Sequence, residues 1–104
     1  MLPGFGSKTG VSVVIPVHNG APFIRAAIQS TLIQSVKILE CIVVDDGSQD
    51  GTADVVRSFG VPVRLHCQPQ QGVALARNQG IALARGAYVA FLDADDVWLF
   101  DKIE

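Results

Sequence analysis

Charge, cysteine and long hydrophobic runs are all scarce in this sequence of 104 residues. Only 17% of the residues are charged, against about a quarter in a typical globular domain. The net charge of −2 supplies no basic stripe, which argues against a nucleic acid as a partner. No apolar run approaches the roughly 20 residues that span a bilayer, and the N-terminus lacks a signal-peptide pattern. These absences predict a cytoplasmic protein, either free or at the inner face of the membrane.

Apolar residues, by contrast, make up 49% of the chain. This content excludes disorder, because the buried surface can offset the entropy cost of folding, and the length fits a single domain. Cys41 and Cys67 stand inside apolar runs without another Cys or His at metal-ligand spacing. We expect both to be small buried hydrophobic residues and not a disulfide.

Strand-like and helix-like segments alternate along the chain. Strands are predicted at about 11–15, 38–44, 62–67 and 87–92. Helices are predicted at about 22–35, 52–58 and 73–85, with another beginning after residue 96. Short links and right-handed crossovers predict an α/β fold with a parallel sheet, and the nearly all-apolar second strand should be central. The expected strand order is 3-2-1-4.

Three details of this prediction concern the first elements of the chain. Residues 1–10 contain Gly and Pro and are expected to be a flexible lead-in. The first strand is expected to end at Pro16. The first helix is expected to bury a face formed by Phe23, Ala26, Ala27, Ser30, Leu32 and Ile33.

The eight aspartates fall into two clusters, which follow the second and the fourth strand. The clusters are Asp45, Asp46, Asp50 and Asp54, and then Asp93, Asp95, Asp96 and Asp101. Ligands of open α/β sheets bind beyond the carboxyl ends of the strands, where both clusters begin. Turn formation and helix capping account for some of these residues. Adjacent like charges repel, however, so the clusters favour a Mg²⁺ or Mn²⁺ site beside a phosphate over capping alone.

Other phosphate-binding devices are absent from the sequence. There is no Gly-x₄-Gly-Lys loop, and Gly4-Phe-Gly6 precedes the first strand instead of following it. A diphosphate would therefore need a metal, supported by a helix N-terminus and by Arg77 in the first turns of the third helix. The alternative for Arg77 is a solvated surface position.

Four segments, in this order, resemble the inverting family 2 glycosyltransferases of the GT-A fold. They are Val13–Gly20 (VVIPVHNG), Val43–Thr52 (VVDDGSQDGT), Gly72–Gly80 (GVALARNQG) and Phe91–Trp98 (FLDADDVW). The resemblance covers residues 11–104 and implies a partial GT-A domain, its Rossmann-like, nucleotide-sugar-binding N-terminal part. It also implies a nucleotide-diphospho-sugar donor and an acceptor hydroxyl on a saccharide, lipid or protein.

The resemblance assigns roles to individual residues. Pro16 and His18 would border the base, Asp46 would accept from a nucleobase N–H, and Asp93 would belong to the ribose-binding region. The implied donor-binding set is Pro16, His18, Asn19, Asp45, Asp46, Arg77, Asn78, Asp93 and Ala94. The implied ligands of Mg²⁺ or Mn²⁺ are Asp95 and Asp96. His18 stands where many members carry tyrosine.

Other functions fit parts of the same pattern. One is a non-catalytic nucleotide- and metal-binding module that works with a partner chain. A receiver-like phosphoacceptor and a nucleotidyltransferase are disfavoured, because Lys102 falls in a helix and no Gly-rich lysine loop is present. No catalytic base is implied, since Glu40 is remote and Glu104 lacks a following scaffold, so the isolated chain should bind donor without transferring sugar. Uncovered apolar surface should favour its self-association.

Overall fold

The structure, a computed structural model, describes residues 10–103 and contains one four-stranded sheet. The elements are β1 (Val11–Val17), α1 (Ala21–Leu32), β2 (Glu40–Asp46), α2 (Thr52–Arg57), β3 (Val63–Gln68), α3 (Val73–Leu83) and β4 (Tyr88–Phe91). All pairings are parallel and the order is β3-β2-β1-β4, which confirms the prediction. Residues 1–9 of the expected lead-in, and Glu104, lie outside the described range. Within that range, no helix is long and apolar enough to cross a membrane.

Helices cover both faces of the sheet, and β2 is buried on both sides. Cys41 and Val43 join the core beneath α1 and α2, while Ile42 and Val44 join the core beneath α3. Alternate residues of a strand point to opposite faces, so an unbroken apolar run is what two covered faces require. Burial raises the pKa of the Cys41 thiol to about 12. Cys41 is buried as predicted, but the prediction of burial was wrong for Cys67, which is exposed on the edge strand β3.

The first helix buries a face that shares Ala27 and Ser30 with the predicted one but otherwise differs from it. Ile24, Ala27 and Ile28 are fully buried, whereas Phe23 is 54% exposed and Ile33 is 63% exposed. Thr31 belongs to the buried face, and its hydroxyl donates to the carbonyl of Ile28 at 2.7 Å. A polar residue can therefore sit in this core because its hydrogen bond is satisfied within the helix.

The end of β1, near the carboxyl edge of the sheet, also differs from the prediction. β1 continues through Pro16, which is buried. Val14 faces β4 and accepts from Leu92 N at 3.1 Å. The backbone of Pro16, two residues later, faces the same side, but β4 has already ended at Phe91. The missing N–H of Pro16 therefore leaves no hydrogen bond of the sheet unformed.

The residues after Asp96 form irregular backbone and turns instead of the predicted helix. Their backbone groups bond to the residues that follow α1. Gln34 Nε2 donates to the carbonyl of Leu99 at 2.6 Å, and Ser35 N donates to the carbonyl of Phe100 at 2.9 Å. These tertiary hydrogen bonds fix the path of the segment, and the carbonyl of Leu99 also accepts a turn hydrogen bond from Lys102 N at 3.1 Å.

A buried carboxylate ties together the amino edge of the sheet. Glu40 accepts from Ser12 Oγ at 2.7 Å, from Arg64 Nη1 at 2.6 Å and from the backbone N of Arg85 at 2.7 Å. Gly86 N in turn donates to Ser12 Oγ at 2.9 Å. Burial raises the pKa of Glu40, but the hydrogen bonds lower it by more, so the pKa lies below its usual value. Glu40 therefore has a structural role, at the edge opposite the aspartate clusters.

Replacing Glu40 with glutamine (E40Q) should lower the free energy of unfolding by about 1–3 kcal/mol at neutral pH, because a charged acceptor is lost. The folded-state pKa is depressed, so the carboxylate's contribution is fully present above the unfolded pKa of about 4.3. It disappears as the pH falls through the folded-state value. Urea unfolding should show a gap between wild type and variant at neutral pH that narrows in acid. A gap of equal size at both pH values would contradict the assignment.

Candidate functional site: a cleft at the carboxyl edge of the sheet

Two adjoining cavities open at the carboxyl edge of the sheet. The smaller, of about 90 Å³, is lined by Pro16, Val17, His18, Asp46, Val73 and Ala76. The larger, of about 300 Å³, is lined by Pro16, Val17, His18, Asn19, Gly20, Phe23, Val73, Asp93, Ala94 and Asp95. They share four lining residues and together form what we call the cleft, which runs from Asp46 to Asp95.

The carboxylate of Asp46, at the end of β2, is buried and held by three donors. Its Oδ1 accepts from Gln68 Nε2 at 2.9 Å and from Gln71 N at 2.8 Å, and its Oδ2 accepts from Gly72 N at 2.9 Å. Burial raises the pKa of Asp46, yet these hydrogen bonds and the nearby His18 lower it by more, to below its usual value. Asp46 is therefore an ionised group that can only accept hydrogen bonds.

The loop between β1 and α1 is fastened to the loop between β2 and α2. Asn19 N donates to Ser48 Oγ at 2.7 Å, and Gln49 N donates back to Asn19 Oδ1 at 2.8 Å. Asn19 has a positive φ of 53°, which asparagine tolerates better than most residues. These reciprocal bonds hold the wall of the cleft that carries His18 and Asn19.

His18 is oriented by its two neighbours at the mouth of the cleft. Its Nδ1 lies 2.8 Å from the backbone carbonyl of Asp46, and its Nε2 lies 3.2 Å from Asn19 Nδ2. A carbonyl can only accept, so Nδ1 carries a proton, and Nε2 accepts from the Asn19 amide when the ring is neutral. The ring is thereby positioned beside the cavity that Asp46 lines.

Asp45 and Asn78 do not line the cleft. Asp45 is buried, and its Oδ1 accepts from Ser48 N at 3.0 Å, a contact typical of a turn-forming aspartate. Asn78 is exposed on α3. Both lie near the predicted site without reaching its cavities.

The second aspartate cluster lies at the other end of the cleft. Arg77, in the second turn of α3, donates from Nη2 to Asp93 Oδ1 at 3.4 Å. Asp95 lines the cleft, whereas Asp96 lines a neighbouring cavity of about 460 Å³ together with Lys102. Among residues 10–103, no group of three or more His, Cys, Asp or Glu side chains is placed to hold a metal.

Sequence reasoning missed part of the site. Val73 and Ala76 of α3 line the cleft, as do Val17, Gly20 and Phe23. Gln68 at the end of β3 holds Asp46. Gln68 pairs with Asp46 in the register of the parallel sheet. This register depends on how β2 packs against β3, and no pattern in the sequence identifies it.

A comparison with protein families decides how this arrangement is classified. The family described as glycosyl transferase family 2 matches residues 12–104. The chain belongs to glycosyl transferase family 2. The match includes both aspartate clusters and every residue that lines the cleft.

Named glycosyltransferases are similar to this family 2 chain. TuaG of Bacillus subtilis is a glycosyltransferase provisionally assigned to teichuronic acid biosynthesis. It is 42% identical to this chain over 101 residues, or 93% of this chain. The uncharacterized glycosyltransferase YibD of Escherichia coli is 39% identical over 93 residues, or 86% of this chain. The chain spans only 40% of the length of TuaG and 27% of YibD.

Solved structures share the fold of this family 2 chain. S. aureus TarS in complex with UDP has a TM-score of 0.81 and 26% identity, over 89% of this chain and 29% of TarS. The mannosyltransferase PcManGT from Pyrobaculum calidifontis, in complex with GDP-Man and Mn²⁺, has a TM-score of 0.79 and 29% identity. That match covers 94% of this chain and 31% of PcManGT. The sheet is thus the GT-A, Rossmann-like sheet expected from the sequence.

Proposed function

We propose that this chain supplies the donor site of a glycosyltransferase. The enzyme would transfer a sugar, with inversion, from a nucleotide-diphospho-sugar to an acceptor hydroxyl. The observation that carries the proposal is the cleft, which joins an ionised acceptor, Asp46, to the exposed carboxylate Asp95. A nucleotide sugar has donors on its base and anionic oxygens on its diphosphate, so it needs different groups at its two ends. The UDP and GDP-Man complexes of the similar structures support this choice of ligand class.

In this proposal, the two cavities of the cleft bind different parts of the donor. Pro16 and His18 border the base, and Asp46 accepts from a base N–H in the smaller cavity. Asn19 and Ala94 line the larger cavity, where the ribose and diphosphate would lie. Arg77 orients Asp93 through their ion pair. Asp45 holds the loop after β2 through Ser48 N and does not line the cleft.

The residues after β4 fit a divalent cation, Mg²⁺ or Mn²⁺. Asp95 and Asp96 are adjacent and exposed, and their carboxylates are the hard oxygen ligands that these ions prefer. Mg²⁺ is usually bound by one or two carboxylates together with substrate phosphates, so Asp95 and Asp96 could hold it when a diphosphate is bound. A bound cation would neutralise charge on the leaving diphosphate.

Mn²⁺ should strengthen the binding of UDP or GDP to this chain by about tenfold or more, because the cation bridges protein carboxylates and phosphate oxygens. The double variant D95N/D96N should lose that gain and keep the metal-free affinity. Titration calorimetry with each nucleotide, with and without Mn²⁺, measures both quantities. Asp101→Asn is the matched control, since Asp101 is an exposed aspartate in the following turns. Equal affinities with and without metal in the wild type would refute the metal site.

The acceptor site and the general base are proposed to lie outside residues 10–103. Inverting transfer needs a base within hydrogen-bond reach of the acceptor hydroxyl. Glu40 is committed to Ser12 and Arg64 at the opposite edge of the sheet. We therefore propose that these residues bind donor without transferring sugar by themselves. The similar glycosyltransferases have more than half of their length beyond the match, which supports this division.

The edge strand β4 supports the further proposal that the isolated chain self-associates. Tyr88 is 66% exposed and Phe91 is 42% exposed, and β4 pairs only with β1 within the described sheet. Its segment carries no charge and no proline, the usual means of blocking an edge. The other edge, β3, carries Arg64 and His66.

A further inference from the structure

The hydrogen bonds to Asp46 use most of the acceptor capacity of its carboxylate. An ionised carboxylate has about four lone-pair positions on its two oxygens. Gln68 and Gln71 occupy both positions on Oδ1, and Gly72 occupies one on Oδ2. One position, on Oδ2, remains by this count, and Asp46 lines the smaller cavity of the cleft. The carboxylate is therefore fixed in orientation before any ligand arrives.

Gln68 differs from the other two donors because it acts through a side chain. Gln71 and Gly72 donate from the backbone of the loop that leads into α3. Gln68 is the last residue of β3 and lies directly opposite Asp46 in the sheet register. Its amide must direct the NH₂ group towards Asp46, because an ionised carboxylate offers no proton. Gln68 does not line the cleft itself.

We propose that Gln68 is a positioning residue for nucleobase recognition, which holds the Asp46 carboxylate so that its remaining Oδ2 lone pair is directed at a base N–H. The proposal rests on the proposed donor-binding function, since it supposes that the base contacts Asp46. Without Gln68, Oδ1 keeps only the Gln71 contact, and the carboxylate can rotate away from its binding orientation. Removing Gln68 should thus weaken base recognition without removing any group that touches the ligand.

The first test is a double-mutant cycle on the binding of UDP and GDP. Gln68→Met keeps the length of the side chain and removes the donor, so the affinity should fall by about 3- to 10-fold, the range for one lost hydrogen bond. In the Asp46→Asn background the same substitution should change affinity less than twofold, because Gln68 acts through Asp46. Gln70→Met, which changes an exposed glutamine in the loop after β3, should bind UDP and GDP as the wild type does.

The second test needs no nucleotide and measures the pKa of Asp46 by carbon NMR. Gln68 lowers this pKa, so Gln68→Met should raise it. The charged and titratable groups on the surrounding elements are Glu40, Asp45, Arg64, His66, Cys67 and Arg77, with His18 in the loop after β1, and the substitution leaves all of them in place.

Each result of these tests supports or overturns the positioning role. An unchanged Asp46 pKa in Gln68→Met would overturn it, as would an equal loss of affinity in the wild-type and Asp46→Asn backgrounds. Wild-type affinity in Gln68→Met, while Asp46→Asn binds weakly, would overturn this inference and leave the proposed function standing. If the wild type binds neither UDP nor GDP, the proposed function fails and the inference fails with it.

Discussion

Replacing Asp46 with asparagine should weaken the binding of UDP or GDP by about 10- to 100-fold, the equivalent of about 1.5–3 kcal/mol for a hydrogen bond to a charged group. The amide has nearly the shape of the carboxylate but supplies one acceptor oxygen and one donor group. It cannot serve the three donors that now bond to Asp46, so its NH₂ group would oppose a backbone N–H or the base. Titration calorimetry on the folded variant measures the loss.

Asp54→Asn is the matched control for this experiment. Asp54 lies in α2, where its side chain is 85% exposed and pairs with Arg57 three residues later. Exposed ion pairs of this kind contribute little to stability, and Asp54 does not line the cleft. Its substitution should leave nucleotide affinity unchanged. Equal losses in the two variants would show that net charge, and not the Asp46 contact, governs binding.

Replacing Gly80 with alanine should lower the free energy of unfolding by about 1–3 kcal/mol, although alanine favours helix more than glycine does. A Cβ at this position of α3 would overlap Cγ1 of Val14 and lie 3.0 Å from its Cγ2. Val14 is fully buried in β1, and its β-branched side chain has little rotamer freedom with which to move away. Helix and sheet can approach this closely only because residue 80 has no side chain.

A second substitution tests this cause directly. Val14→Ala removes the two methyl groups that the new Cβ would meet, so the double variant should be more stable than the sum of the single effects by about 1 kcal/mol or more. Urea denaturation of the four proteins measures the coupling. Strict additivity would mean that Gly80 is needed for another reason than the contact with Val14.

Sequence patterns determined the order of the sheet and the region of the site. The run Cys41–Val44 is apolar at every position, and only a strand covered on both faces requires that pattern. The first aspartate cluster begins in the last residues of β2 and the second follows β4, and parallel strands place these ends at one edge. Both inferences depend on local periodicity and on chain direction, and both of these can be read from the sequence.

Tertiary structure alone decided which groups touch. Asp46 accepts hydrogen bonds from residues that are 22, 25 and 26 positions away in the sequence. No local sequence pattern predicts that these donors bond to one carboxylate. Asp95 and Asp96 are neighbours in sequence, yet they line different cavities. The buried face of α1 includes Thr31 and leaves Phe23 exposed, against the ranking of their hydrophobicity. Strand register, loop path and hydrogen-bond satisfaction depend on distant segments packing together, and this packing places Gln68 beside Asp46.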